Sequence, residues 1–568
     1  MRRGTRAALG TAVAVVVAGA LTAGVVTVTA QTPGGPAAAG AGAGAAKDYL
    51  VFHTPNGRDA ATRAIEAQGA AVVSADARLG YVIARSSGGQ AAFAERLGRE
   101  PAVVGVSGDR AIGYATAARA GAVRAGAAPA VPREAAPAKA ARAGDEPLAG
   151  RQWDMKMIGA TPKGSYAAAP GSGKVLVGVI DTGIDGKHPD IAPNFNRELS
   201  RNFVTDRPKD PNGEVLDGPC EYKGCKDPAD VDDDGHGTHV ASTIASPRNG
   251  IGVAGVAPGA QLVNLRAGQD SGLFFLKPSL DALAYAADNG IDVVNMSYYV
   301  DPWLFNCTAN PADSKAEQLE QRAIVTGMQR ALDYARSKGV TLIAALGNGA
   351  TDLGKPKTDL TSPDYPLNTE RARKIDNSCL NVPVESKGVI SVAAVGATKE
   401  KAQYSDYGTE QTDLAAPGGD ADVKGRLRGE RGMILAAAPE HVLRARKLID
   451  AKGKPKDGSV VRDCTGGTCS YYQYLQGTSM AAPHATGVAA ILIDRFGEAS
   501  GDGVTLDPAK TERLLNASST PRPCPSPRRH VYSSAGEKVA QVCEGGKSKN
   551  GFYGRGIVNA QRAAVIDP

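Results

Sequence analysis

The sequence predicts an α/β protein in two parts: a doubly wound, mostly parallel sheet with helices on both faces, preceded by a small α/β sandwich. One observation is a series of near-continuous apolar runs at 174–180, 261–265, 291–295, 340–345 and 389–395. A strand covered on both faces of a parallel sheet reads as such a run rather than as an alternation. Helical stretches at 280–289 and 324–338 separate them, and strands alternating with helices make βαβ units. The other observation is a strand–helix–strand–strand–helix–strand order in about seventy residues after Lys47, the pattern of a small α/β sandwich.

In chain order, Arg2, Arg3 and Arg6 precede an apolar stretch from Ala7 to about Val28, and Val28-Thr29-Ala30 offers small residues for cleavage. Residues 1–30 therefore read as an export signal. The alternative is a retained membrane anchor, since the stretch approaches spanning length, although Gly and Thr dilute it. Residues 31–46 are a Gly/Ala/Pro-rich disordered linker. Residues 47–115 form the small domain, with strands at 49–52, 71–73, 81–83 and 103–106 and helices at 60–68 and 90–97. Residues 116–147 are Ala/Pro/Arg-rich, a tether open to proteolysis. Residues 148–568 form the large body. A small domain, a cleavable tether and a large body make the layout of a zymogen; an unrelated small domain on a linker has the same order.

Composition excludes several classes. The 568 residues carry a formal net charge of +6, with basic residues gathered at the N-terminus and in the tether, and only 5% of residues are aromatic. Nucleic-acid binding wants Lys/Arg on one face with interleaved aromatics, so no nucleic-acid partner is expected. Eight cysteines in an exported chain read as disulfides. Their connectivity stays open, with Cys220/Cys225 and Cys464/Cys469 as candidate local loops. Neither pair is C-x-x-C, so zinc is not expected.

In doubly wound sheets, active sites gather at the carboxyl ends of the strands, and three segments there carry chemistry. Asp181-Thr182-Gly183-Ile184-Asp185 follows the first buried run. Gly235-His236-Gly237-Thr238-His239 opens a helix, and Gly477-Thr478-Ser479-Met480-Ala481-Ala482-Pro483-His484 opens another, with Pro483 in its first turn. A serine hydroxyl needs an adjacent base to become a nucleophile. Imidazole can be that base, and a buried carboxylate fixes its tautomer and stabilises the imidazolium. At a helix start, free N–H groups and a partial positive field favour a developing oxyanion. Asp230-x-Asp232-x-Asp234-Gly235 opens like an EF-hand loop, but its twelfth position is Ala241 rather than Glu, so that match fails. No His-Glu-x-x-His is present, and His239 is assigned a structural role.

The order Asp…His…Ser, in the contexts Asp-Thr-Gly-Ile-Asp, Gly-His-Gly-Thr-His and Gly-Thr-Ser-Met-Ala-Ala-Pro-His, resembles the subtilisin-like serine proteases (subtilases, peptidase family S8). The resemblance runs from about 148 to the end, closing on Tyr553-Gly554-Arg555-Gly556-Ile557-Val558-Asn559-Ala560. It implies a subtilisin-like fold, with Asp181 as orienting carboxylate, His236 as base, Ser479 as nucleophile, and Asn348, in Gly347-Asn348-Gly349, as side-chain oxyanion donor. Residues 47–115 resemble the family's I9-like inhibitory propeptide. The function so implied is a secreted serine endopeptidase made as an autoprocessed zymogen, a monomer acting on polypeptides with its own propeptide as intramolecular inhibitor. It needs no catalytic cofactor and no metal at the site. The family often holds structural calcium; Asp185, Asp190 and Asp210 are available, but spacing assembles no site.

The chain departs from the family where Ser-Leu-Gly-Gly would line the primary pocket. It reads Ser297-Tyr298-Tyr299-Val300, and Ser297, Tyr298 and Tyr299 with Gly347 are the expected substrate-binding set. Stretches 301–321, 352–381 and 419–475 look like insertions, expected to rim the cleft and restrict substrates. A dedicated maturation protease for one exported partner shares this chemistry. A catalytically dead binding protein on the same fold and a surface-anchored protease are the other readings.

Overall fold

In the computed structural model, residues 46–108, 113–115, 145–300, 302–422, 427–501, 503–534 and 537–567 are described. The expected export signal, the linker before Lys47 and nearly all of the tether lie outside these residues.

The apolar runs form one parallel sheet of seven strands. Their spatial order is Leu414–Pro417, Ile390–Val395, Thr341–Ala345, Val293–Met296, Leu176–Ile180, Gln261–Arg266 and Arg201–Asn202. Side chains alternate across it, as strand geometry requires. Val177, Val179 and Val293 enter the core on one face; Ile180, Val294 and Met296 enter the other. His236–Ala245 and Thr478–Phe496 pack on the first face, and Leu276–Asp288 and Lys315–Ser337 on the second. The doubly wound expectation holds.

The chain reverses its winding at Leu176–Ile180, whose neighbours are Val293–Met296 and Gln261–Arg266. Open α/β sheets place their crevice at such a switch point, beyond the strands' carboxyl ends. Asp181 and Ser297 follow directly from two of those three strands.

The small domain is an antiparallel sheet ordered Ala71–Asp76, Tyr81–Ser86, Lys47–His53, Val103–Gly108, with helices Arg58–Ala67 and Gln90–Leu97. Its sheet seats on Lys315–Ser337 so tightly that glycine is required at the contact. A Cβ on Gly105 would stand 2.4 Å from Ala323 N, and one on Gly327 would stand 2.6 Å from the Phe52 ring. Arg330 donates to the carbonyls of Leu79, Gly80 and His53 at 2.8–3.1 Å. Beyond this sheet, the short strand Gly113–Ala115 pairs antiparallel with Tyr298–Val300, Tyr114 opposite Tyr299.

The helix expected at 324–338 begins nine residues earlier, at Lys315. Ser314 and Glu317 form a capping box, each side chain bonding the other's backbone N–H, a signature written in the sequence as Ser-x-x-Glu. All eight cysteines pair: Cys220–Cys225, Cys307–Cys379, Cys464–Cys469 and Cys524–Cys543. The two local loops form as anticipated. Cys307–Cys379 joins the first two insertions, which share a buried Arg373 bonded to Asp313 and Asp359 and lying 4.6 Å from the Trp303 ring. The third insertion adds an antiparallel sheet of Ile434–Ala437, Ser470–Leu475 and Val460–Asp463 and the helix Glu440–Ala445.

Candidate active site

Three elements converge beyond the switch point. Asp181 ends the strand Leu176–Ile180 fully buried, and its Oδ1 accepts the Thr182 N–H at 2.8 Å. His236 is the first residue of its helix and donates from Nδ1 to Asp181 Oδ1 at 2.7 Å. That bond selects the tautomer with a lone pair on Nε2. Burial disfavours the imidazolium, but the charge and hydrogen bond of Asp181, together with the charges of Asp234 and Asp232, outweigh it and hold the His236 pKa above its ordinary value. Asp181 and His236 lie 55 residues apart in sequence, and Asp232 joins their elements. It accepts from Thr182 Oγ1 at 3.0 Å at the strand end and from Gly235 N and Thr238 N at 2.8 and 2.9 Å at the helix start. In the sequence Asp232 belongs only to the failed calcium loop; it lies three residues before the N-cap Gly235, where no N-cap signal marks it.

Ser479 is the second residue of Thr478–Phe496, and every residue from Thr478 to Ile493 is buried. Small side chains permit this: a Cβ on Gly487 would stand 2.5 Å from Val256. The helix begins at Thr478, which places Pro483 in its second turn rather than its first. Proline there has no N–H for the carbonyl four residues back, which is that of Ser479. Ser297 Oγ donates to that carbonyl at 3.2 Å instead, while Ser479 Oγ donates to Ser297 O at 3.3 Å. His236 Nε2, buried, has no hydrogen-bond partner among the described residues. The Oγ–Nε2 hydrogen bond is thus not formed in this structure, as is common where catalytic hydrogen bonds tighten only around a reacting group.

Asn348 follows the strand Thr341–Ala345 in a turn begun by Gly347 at φ +121°. Its Oδ1 accepts from Thr478 N at 2.9 Å and from Thr478 Oγ1 at 3.0 Å, which leaves the amide nitrogen as the outward donor. Thr478 also accepts from Gly347 N at 3.1 Å. Sequence reading did not single out Thr478, although it sits inside the quoted motif. His239 is structural, as expected: its Nε2 bonds the carbonyls of Ile434 and Gln473 at 3.1 and 3.0 Å, and burial lowers its pKa to about 3.

The expected substrate-binding residues divide. Tyr298 is 1% exposed and its ring stacks on Phe274 at 4.1 Å, so what it can offer a substrate is backbone. Tyr299 donates from its hydroxyl to Asp364 at 2.9 Å, tying the substrate-side strand to the 352–381 insertion. The third insertion touches the other flank: His441 and Arg446 pair with Asp233 and Asp234, each at 2.7 Å, just before the histidine helix.

One group of three close carboxylates occurs among the described residues, Asp206, Asp227 and Asp270. All three bond the buried guanidinium of Arg266, which occupies the position a cation would take. Asp190 and Glu146 are a second buried acidic pair, and the charge of Arg248 acts on Glu146. Asp190 Oδ1 and Glu146 Oε2 accept no hydrogen bond among the described residues. Burial, with the charge of Glu146 adding to it, pushes the Asp190 carboxyl up to about 8.

Comparison with known proteins agrees with this arrangement. A sequence model of the subtilase family matches residues 172–541. Fervidolysin of Fervidobacterium pennivorans is 29% identical over 371 residues, 63% of this chain and 39% of that protein. The nisin leader peptide-processing serine protease NisP of Lactococcus lactis is 28% identical over 348 residues, 60% of this chain and 44% of that protein. The chain thus spans less than half the length of these relatives. The crystal structure of the epidermin leader peptide processing serine protease EpiP of Staphylococcus aureus shares the fold, with a TM-score of 0.55 at 19% identity, covering 91% of this chain and 98% of that one.

Proposed function

This chain belongs to the subtilase family of serine proteases, and we propose that it is a secreted endopeptidase, made as a zymogen, in which Asp181, His236 and Ser479 form the catalytic triad and Asn348 donates to the oxyanion. The observation that carries the reading is the buried His236–Asp181 bond of 2.7 Å, set beside a serine at the start of a buried helix at the sheet's switch point. Rotation of the Ser479 hydroxyl away from Ser297 O lets His236 Nε2 take its proton as Oγ attacks the peptide carbonyl. Asp181 stabilises the imidazolium so formed. The Asn348 amide and the Ser479 N–H face the oxyanion. His236 then passes the proton to the leaving amine, and water hydrolyses the acyl-enzyme by the same relay.

The 47–115 domain serves in this reading as inhibitory propeptide. Its support is the strand Gly113–Ala115, which pairs with Tyr298–Val300 as an extended substrate would. Processing is expected beyond Ala115, within 116–147. The test is the N-terminal mass of the exported wild type beside Ser479→Ala: loss of the first ~115–147 residues in wild type alone supports self-processing, and equal processing of both refutes it.

Narrow specificity is the second reading, favoured by the stapled rim. Tyr299 is bonded to one insertion, the first two insertions are joined by Cys307–Cys379, and the third is paired to the turn before His236. A relative named for leader-peptide processing agrees with it. Cleavage profiling on a mixed peptide library separates the two, since broad cutting excludes a dedicated maturation protease. A structural cation, if bound, would be held by Asp190 and Glu146, whose Oδ1 and Oε2 are hard oxygen donors of the kind calcium takes; it would add stability and take no part in the chemistry.

A further inference from the structure

Asn348 is useful only if its amide is held toward the developing charge before the reaction begins. Thr478 holds the side chain, but the turn that carries it, residues 347–351, is shaped from below. Asp406 is 3% exposed. Its N–H donates to Gly347 O at 2.9 Å, and its Oδ1 accepts from Thr351 N at 2.7 Å, so one residue grips both ends of the turn. Its carboxylate fills the space beneath. Oδ2 lies 2.2 Å from where a Cβ on Gly347 would stand, and Oδ1 lies 3.2 Å from the same place on Gly349. Neighbouring backbone continues the template, with Ala350 N on Tyr404 O at 2.8 Å and Tyr407 N on Thr351 O at 2.9 Å.

Near Asp406 sits a buried lysine, whose pKa burial lowers to about 7. Lys401 is 1% exposed and donates to the carbonyls of Ala402 and Ser405 at 2.8 and 2.6 Å. The rings of Tyr407, Tyr532 and Phe552 lie 5.2–5.4 Å from its nitrogen. It fixes the residue immediately before Asp406 and supplies the opposite charge. Burial pushes the Asp406 carboxyl up to about 7, against the Thr351 N–H and the Lys401 charge, which favour the anion.

We infer that Asp406 is a positioning residue for peptide-bond hydrolysis: by gripping both ends of the 347–351 turn it presets the Asn348 amide toward the oxyanion. The inference rests on the oxyanion role proposed for Asn348. It is tested on processed enzyme, normalised by fluorophosphonate titration of Ser479, with a peptide anilide substrate. Asp406→Ala is expected to lower kcat about ten- to a hundred-fold with KM within about three-fold, the size of a misplaced catalytic group. Asp406→Asn keeps an acceptor for Thr351 and should recover kcat to within about five-fold of wild type. In the double variant, Asn348→Ala should cost less than about five-fold further, because a misaimed donor has little left to lose. Additive losses, or a loss confined to KM, overturn the inference. If Asn348→Ala alone leaves kcat unchanged, the proposed oxyanion role fails, whatever Asp406 does. Should Asp406→Ala not fold, Asp406→Ser, which is polar but too short to reach Thr351 N, carries the same test.

Discussion

Ser297→Ala should damage the fold beneath the nucleophile, and Pro483→Ala should partly repair it. Ser297 Oγ makes two buried contacts: it donates to the Ser479 carbonyl at 3.2 Å and accepts from Asn295 Nδ2 at 2.9 Å. Removing the hydroxyl takes this bond from both partners, and each buried group left unsatisfied costs about 1–3 kcal/mol. The expected destabilisation is therefore about 2–6 kcal/mol. Pro483 is the reason the carbonyl needs Ser297 at all. Pro483→Ala restores an N–H at the helical partner position, and one helix hydrogen bond is worth about 1 kcal/mol. That gain should appear only when Ser297 is absent, since the carbonyl is otherwise already satisfied. The assay is urea unfolding of the four-member cycle in a Ser479→Ala background, which stops self-digestion and leaves the backbone carbonyl in place. An interaction energy of about 1 kcal/mol is expected between the two sites. If Pro483→Ala shifts the midpoint equally with and without Ser297, the compensation argument is wrong.

The acid limb of kcat/KM should fall above the ordinary histidine value of about 6.5, because catalysis needs neutral His236 and Asp181 raises its pKa; Asp181→Asn removes the raising charge and should move the limb down, and a wild-type limb below about 6.5 contradicts the assignment. Chelation by EDTA should lower the melting temperature of wild type but not of Asp190→Asn, measured by calorimetry; equal shifts in both place the cation elsewhere. Opening the rim with Cys307→Ser and Cys379→Ser together should broaden the cleavage profile on a mixed peptide library while leaving fluorophosphonate labelling of Ser479 intact. An unchanged profile removes the insertions from specificity.

Much of the fold was legible because parallel strands buried on both faces must be apolar throughout. The runs ending before Asp181 and at Asn295 and Ala345 marked three strands whose carboxyl ends carry the candidate site. The small domain was legible from its element order. The long helix Lys315–Ser337 was read nine residues short, because its first turns fell in a stretch set aside as an insertion; its capping box was visible all the same. The short strand Leu414–Pro417, all Leu, Ala and Pro, has too little pattern to be told from a loop.

The sequence by itself determined which residue types could do chemistry and in what order, since a nucleophile, a base and an orienting carboxylate need particular side chains that local motifs announce. It also determined that all eight cysteines could pair. What only the tertiary structure decided is how residues far apart in the chain satisfy one another. Asp232 ties a strand to a helix, Ser297 serves a carbonyl whose helical N–H donor Pro483 lacks, Thr478 orients Asn348, and Arg266 bonds three carboxylates. None of these follows from spacing, because each is a buried polar group whose partner is chosen by three-dimensional proximity. The cost of burying such a group unpaired is what makes the choice specific.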